Sequence, residues 1–394
     1  MIFFGIASLV AVSCGLLVVY PYTIYLAILT RLPGRPVARR AGFAPGTTLG
    51  TTLVFCAYNE AQIIDQKIAN IEMLKRRHPD LEVLAFDDGS NDSTYERLAA
   101  RPDLVQVLRG GGRSGKAHGM KRLAAMAKGE IIIFTDANVM LDEEAIDNLH
   151  ACYADPEVGG VCGSLHFYSE RDASATAAVG SAYWRLEERI KDQESRTGSV
   201  MGADGSVFSI RRELYPSFPD TVLDDLTVSM AVVFAGKRLI KATDVIGRED
   251  IVVDRADEFA RKIRISTRAF HTHQHLRRQL RRMGRLDRFK YSSRKLLRWF
   301  SGGALILGVL AGALACALVS PVLLGAYLAA GLAFIWIGQA SERGPIAKVF
   351  EIVLALIATQ IGVLNAMLGR TFQTWQPAQR RVPEAARKSG VTWE

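Results

Sequence analysis

Glu130-Ile131-Ile132-Ile133-Phe134-Thr135-Asp136-Ala137-Asn138 sets four large apolar side chains in a row and ends on an acid and an amide. A strand with one wet face alternates apolar and polar residues. An unbroken apolar run therefore predicts a strand buried on both faces, as in a parallel sheet covered by helices. Working outward, Thr52–Ala57, Leu81–Phe86 and Leu104–Leu108 read as further strands, and Ala61–Arg76, Asp92–Ala99 and Ser114–Lys128 as the helices between them. The alternation is a βαβ series and predicts an α/β domain whose ligands bind beyond the carboxyl ends of the strands.

The residues at those ends are Tyr58-Asn59-Glu60, Asp87-Asp88-Gly89-Ser90 and Asp136-Ala137-Asn138. Each cluster alone also suits a turn or a helix cap. Brought to one sheet edge, they make a site for a nucleotide and a divalent metal. Arg109-Gly110-Gly111-Gly112-Arg113-Ser114-Gly115 leads into Lys116 and offers phosphate a close approach to backbone. It is not a P-loop, because Ala117 follows the lysine where Ser or Thr is required. Farther on, Asp224-Asp225 precedes a helical pattern, Leu226–Ala235, that stops at Gly236, so either acid also serves as a cap.

Cys56-Ala57-Tyr58-Asn59-Glu60, Phe86-Asp87-Asp88-Gly89-Ser90, Gly115-Lys116-Ala117, Asp136-Ala137-Asn138 and Asp224-Asp225-Leu226, in this order, resemble the family 2 glycosyltransferases with the GT-A fold. The resemblance covers roughly Thr51 to Arg268. It extends through Ser293–Trp299 and Thr374-Trp375 towards the membrane-integrated, polysaccharide-synthase-like branch. It implies that Tyr58 and Glu60 line the nucleotide pocket, that Asp88 faces base or ribose, and that Lys116 lies near it. Asp136 and Asn138 fall on the family's Asp-x-Asp motif, where Mg²⁺ or Mn²⁺ is expected, with Asn138 giving a neutral oxygen in place of the second carboxylate. Asp225 takes the last place of a Thr-Glu-Asp-type motif, here Leu223-Asp224-Asp225, as the base that accepts the acceptor's proton. Asp224 supports it.

By the same resemblance, Met201-Gly202-Ala203-Asp204-Gly205 borders the acceptor, so Asp204 reaches a sugar hydroxyl. Arg261-Lys262-Ile263-Arg264-Ile265 aligns with Gln-x-x-Arg-Trp: Arg264 is kept for the diphosphate, while Arg261 and Ile265 replace Gln and Trp. The aromatic platform for a growing polysaccharide is thereby missing. The expected reaction is inverting transfer from a nucleotide sugar, UDP-linked, to a glycan or lipid-linked acceptor in envelope or extracellular polysaccharide synthesis. A nucleotidyltransferase on a similar sheet and a non-catalytic nucleotide-binding membrane scaffold are the rival expectations.

The chain of 394 residues is 49% hydrophobic, which excludes a disordered, collagenous or disulfide-stapled protein. Its apolar residues are unevenly spread. Ile2–Leu29 carries no charged side chain and reads as an uncleaved spanning helix, and Arg31, Arg35, Arg39 and Arg40 after it place the following domain in the cytoplasm. Gly302–Val319, Val322–Gly338 and Ile346–Leu368 give two or three more crossings. A third would expose Arg370, Arg380, Arg381, Arg387 and Lys388 outside, against the positive-inside rule, so Ile346–Leu368, with Lys348 and Glu351, is left spanning, re-entrant or interfacial. The organisation expected is a transmembrane helix over 1–30, a GT-A domain over 40–260, a basic interfacial segment over 261–299, apolar helices over 300–369 and a polar tail over 370–394, in a multi-pass protein of the inner membrane.

Arg261–Arg298 holds fourteen Lys and Arg against one acid, Asp287. Next to a spanning helix this reads as a belt for anionic lipid, and no nucleic-acid motif accompanies it. His271, His273 and His275 are dense but lack further ligands for zinc. Five cysteines without a CxxC pair read as reduced thiols.

Overall fold

The computed structural model describes residues 1–39, 49–167, 175–249, 255–341, 343–372 and 374. Arg40, Trp375, Arg380, Arg381, Arg387 and Lys388 lie outside them. Among the described residues, β1 Thr51–Ala57, β2 Glu82–Asp87, β3 Gln106–Arg109, β4 Ile131–Asp136, β5 Met140–Leu141, β6 Val158–Phe167, β7 Val207–Arg211 and β8 Arg238–Glu249 form one sheet in the order β3-β2-β1-β4-β7-β6-β8-β5. The half containing β1 to β4 is parallel, as the apolar runs require, and β1 is buried along its whole length. Strand β3 starts two residues later than expected, because the N–H groups of Leu104 and Val105 both turn back to the Arg101 carbonyl. Past β4 the sheet becomes mixed, with β7 antiparallel to both β4 and β6.

Apolar cores cover both faces. Ile64, Ile68, Ile71 and Leu74 of the helix Ile64–Arg77 pack on one face, and Met120 and Leu123 of the helix Lys116–Met126 on the other, with Phe270 and Leu276 of the long helix Arg255–Arg282. The helix Asp224–Phe234 packs against that long helix.

Four described helices are long and apolar enough to cross a membrane: Ile2–Val19, the continuous Arg285–Val319, Pro321–Ala340 and Pro345–Met367. The single N-terminal crossing expected through Leu29 is shorter. The helix stops at Val19 because Pro21 has no N–H to continue the ladder, and Ile24–Arg31 forms a separate short helix. Tyr25 and Leu29 on it are fully buried against Ile190. The segment left open, Pro345–Met367, packs along Arg255–Arg282, where Arg255 Nε donates to Glu351 Oε1 at 2.5 Å. Farther along, a Cβ on Gly362 would come within 2.6 Å of the Ser266 side chain, so only glycine permits that approach. Thr371 then donates to the Thr221 carbonyl at 3.3 Å, and the chain leaves this helix beside the α/β domain.

The basic belt is corrected in part. Lys290 and Arg294 are buried, and Arg294 donates to Glu194 at 2.6 Å and to Glu187 at 3.0 Å, while Arg298 donates to Glu187 at 2.7 Å. Glu194 also accepts from Tyr25 Oη at 2.6 Å. A buried guanidinium must have a counter-charge, so these cations face the helix Ala175–Arg196 instead of lipid. A π-helical turn, Ser292–Leu296, carries Arg294 inward. Arg277, Arg278, Arg281, Arg282, Arg285 and Arg288 remain exposed.

Candidate active site

Lys116 stands at the start of its helix and donates from Nζ to Asp136 Oδ1, at the end of β4, at 2.5 Å. Burial pulls its ammonium down, but Asp136 and Asp224, with Asp225, outweigh that and hold it above the ordinary lysine value. Asp225 lies in the first turn of the helix Asp224–Phe234, and its Oδ1 accepts the Leu226 N–H at 2.6 Å. Burial, then the neighbouring Asp224, pushes its carboxyl up to about 6, against the opposing pull of Lys116. Gly205 closes the group: a Cβ there would lie 2.8 Å from Lys116 Nζ and 3.4 Å from Asp225 Oδ2. Asp136, Lys116, Gly205, Asp224 and Asp225 therefore share one site, assembled from the end of β4, the starts of two helices and one loop. A carboxylate poised near neutrality beside a fixed ammonium can take a proton while an anion departs nearby.

At the other end of the site, Asp88 is fully buried and its carboxylate accepts the N–H groups of Ser114 at 2.7 Å and Gly115 at 3.1 Å. Here the expectation for the glycine-rich loop is corrected: those two backbone donors point at Asp88, not outward to phosphate. Glycine at 89, with φ of +76°, lets this loop close, since a Cβ there would lie 3.0 Å from the Gly112 carbonyl carbon. The Arg113 guanidinium then lies 3.4 Å from the centre of the Tyr58 ring. Asn59 adopts φ of +53°, which Asn tolerates, and its side chain accepts the Asn91 N–H at 2.8 Å. The Glu60 N–H donates to Thr94 Oγ1 at 2.8 Å, so Tyr58-Asn59-Glu60 is pinned to the turn after β2.

The residues expected on the acceptor side are less gathered. Asp204 is ion-paired with Lys191, which also meets Glu188. Arg261 folds back on Glu258 at 2.7 Å, and burial, then the neighbouring Arg268 and Arg261, lowers the pKa of Arg264. Histidines 271 and 273 have separate partners: His271 Nε2 lies 3.2 Å from Thr221 Oγ1, and His273 stacks on Tyr291.

Three residues near the site escaped the sequence reading. Arg268 is buried beside Asp225 and donates to the Val222 carbonyl at 2.9 Å, and its spacing of four from Arg264 was the available signal. Lys67 is completely buried, donates to the Val139 carbonyl at 2.6 Å and is pushed by burial down to about 7, with Asp136 opposing. Its place between Ile64 and Ile71 on an apolar stripe marked it as inward-facing. Glu249, at the end of β8, accepts from Asn138 Nδ2 at 2.5 Å, and nothing in its local sequence distinguishes it.

The donor set suits a hard cation. Asp136 is 36% exposed and presents a carboxylate whose present partner is itself a cation, and Asn138, with its nitrogen turned to Glu249, keeps its carbonyl oxygen for another partner. Mg²⁺ and Mn²⁺ need only one or two such protein oxygens when phosphates complete the shell.

Residues 52–217 match the family model described as Glycosyl transferase family 2. The chain is 30% identical over 122 residues to the glycosyltransferase AglD of Haloferax volcanii, covering 29% of this chain and 20% of that protein. To the poly-beta-1,6-N-acetyl-D-glucosamine synthase of Staphylococcus aureus it is 25% identical over 202 residues, 48% of this chain and 47% of that one. It thus spans from a fifth to about half the length of these curated relatives. The mannosyltransferase PcManGT from Pyrobaculum calidifontis, in complex with GDP-Man and Mn²⁺, has the same fold: the TM-score is 0.70 at 23% identity, covering 91% of this chain and 99% of that one.

Proposed function

From the match of residues 52–217 to the family 2 glycosyltransferase model and the GT-A fold of the chain, we propose that this protein transfers a sugar with inversion from a nucleoside-diphosphate sugar, UDP-linked, to a glycan or lipid-linked acceptor. The observation that carries the reading is the convergence of Asp225, raised to about 6, with Lys116 and Asp136 on one site.

Asp225 accepts the proton of the acceptor hydroxyl as that oxygen bonds to the anomeric carbon. The bond from this carbon to the diphosphate oxygen breaks in the same displacement, and the nucleoside diphosphate leaves with the electron pair. Lys116, charged throughout the neutral range, is placed to offset the leaving charge. Arg264 and Arg268 add positive potential from the long helix. A Mg²⁺ or Mn²⁺ ion held by Asp136 and Asn138 would supply further neutralisation of the diphosphate. Ile265, 41% exposed, presents aliphatic surface where the family motif has Trp, which favours addition of single sugars over processive synthesis.

The setting proposed is the cytoplasmic face of the inner membrane, in envelope or extracellular polysaccharide synthesis. Pro345–Met367 is read as interfacial, because it runs along the charged helix Arg255–Arg282 and ends beside the α/β domain. With three crossings before it, Arg370 stays on the catalytic side, as the positive-inside rule favours.

The test is purified protein in lipid, offered UDP-sugars and GDP-mannose with Mg²⁺ or Mn²⁺ and assayed for nucleotide release and product size. UDP release with a sugar-extended product is expected. Release of pyrophosphate would establish the nucleotidyltransferase instead, and nucleotide binding without turnover the scaffold.

A further inference from the structure

The Asp-x-Asp position of this chain carries Asn138 in place of the second carboxylate, so the local motif offers the cation one negative charge fewer. The sheet brings another acid to that spot. Strand β5 pairs antiparallel with β8 in the register Met140↔Arg248 and Leu141↔Gly247, so continuing the ladder sets Glu249 opposite Val139 and next to Asn138. The pairing is clamped by Arg248, which donates to Asp142 from Nε at 2.7 Å and from Nη2 at 2.8 Å. Glu249 Oε1 then lies 2.5 Å from Asn138 Nδ2. A carboxylate has no proton to donate, so the amide must turn its nitrogen to Glu249 and its oxygen elsewhere.

From the other side, Lys67 holds the Val139 carbonyl, and Asn70, one turn along the same helix, brackets Leu141: its Nδ2 donates to the Leu141 carbonyl at 2.7 Å and its Oδ1 accepts the Leu141 N–H at 3.0 Å. The segment carrying Asp136 and Asn138 is therefore fixed from below while Glu249 meets it from the side.

Building on the nucleotide-sugar reading above, we propose that Glu249 is the substitute carboxylate: the divalent cation is held by Asp136, Asn138 and Glu249, with a ligand from the far end of the sheet restoring the charge that the local motif lacks. The hydrogen bond to Asn138 is the arrangement without metal, and it keeps the Glu249 side chain at the site.

The experiment uses the full-length protein in detergent, with UDP present and Mn²⁺ titrated, reading free Mn²⁺ by electron paramagnetic resonance. Glu249→Gln should weaken Mn²⁺ about 10-fold or more, within the range seen when a group supporting a metal site is removed. Adding Asn138→Asp to that variant should recover most of the loss, because the charge returns two residues from Asp136. UDP affinity in EDTA should stay within about twofold, an expectation that follows from placing Glu249 on the cation and not on the nucleotide.

A Glu249→Gln protein with native Mn²⁺ affinity overturns the proposal, as does a double variant that recovers nothing. Loss of UDP affinity in EDTA equal to the loss with Mn²⁺ also overturns it, by showing that Glu249 acts on the nucleotide without the cation. If Glu249→Gln does not fold, Glu249→Asp replaces it, and its shortened reach should weaken Mn²⁺ while unchanged affinity overturns the assignment. Native protein that binds no Mn²⁺ beside UDP would sink the donor reading along with this one, whereas binding that ignores Glu249 sinks only this one.

Discussion

Asp225→Asn should cut turnover by orders of magnitude and make the protein more stable. The same burial produces both effects. Asp225 titrates near 6 in the folded chain against an ordinary 3.8, so the folded state binds its proton more tightly than the unfolded state does. Stability from this group is complete below pH 3.8, declines between 3.8 and about 6, and is lost above. The full difference corresponds to about 3 kcal/mol, and the partial solvent access of the side chain screens it to about 2 kcal/mol. An asparagine carries no charge to bury. At pH 7.5 the variant should melt about 4–8 °C higher than the native protein, given about 2–4 °C per kcal/mol for a domain of this size. At pH 4 that gap should close. Turnover should fall about 10²- to 10⁴-fold, the usual contribution of a positioned base. The assay pairs melting curves in detergent at the two pH values with nucleotide release. A variant that turns over within tenfold of native, or melts lower at pH 7.5, refutes the assignment.

Lys116→Met should shift the acid limb of the kcat/KM pH profile upward from about 6, because the lysine is what pulls Asp225 down; an unmoved limb would separate the two residues. Lys67→Met tests the buried ammonium: its folded value near 7 lies below the ordinary 10.5, so native stability should rise between pH 7 and 10.5. The variant's melting temperature should lack that rise. Glu194→Gln removes the shared partner of Tyr25 and Arg294 and should cost about 3–5 kcal/mol, read as a lower melting temperature, as when one member of a buried pair is lost.

How far the sequence could be read followed from where its signals were local. Strands β1, β2 and β4 were legible because two-sided burial writes itself as an apolar run, and the residues just past them had to lie at one edge. The mixed half of the sheet was not, since β6 to β8 find partners by long-range pairing that no short window contains. Lys116 and Asp225 could each be picked out, but their approach to each other depends on Gly205, whose lack of a side chain makes the room. The glycine-rich loop misled because its composition is equally suited to binding a phosphate and to wrapping a buried carboxylate. Charge density misled likewise: Lys290 and Arg294 look like surface residues until Glu187 and Glu194 appear opposite them. Pro21, by contrast, announced the break that the length of the apolar run concealed.

The knot of Tyr25, Glu194 and Arg294 joins three parts of the chain: the segment after the first long apolar helix, the helix that leads into the loop Met201–Gly205, and the root of the second long apolar helix. Glu194 adds a bond from the Met201 N–H at 2.9 Å, the first residue of that loop. The catalytic head is consequently bolted to its anchor and not hung from it. On the function proposed above, an enzyme so mounted would work at one fixed height above the bilayer, and an acceptor too short or too long to present its hydroxyl at that level would go unglycosylated whatever its sugar.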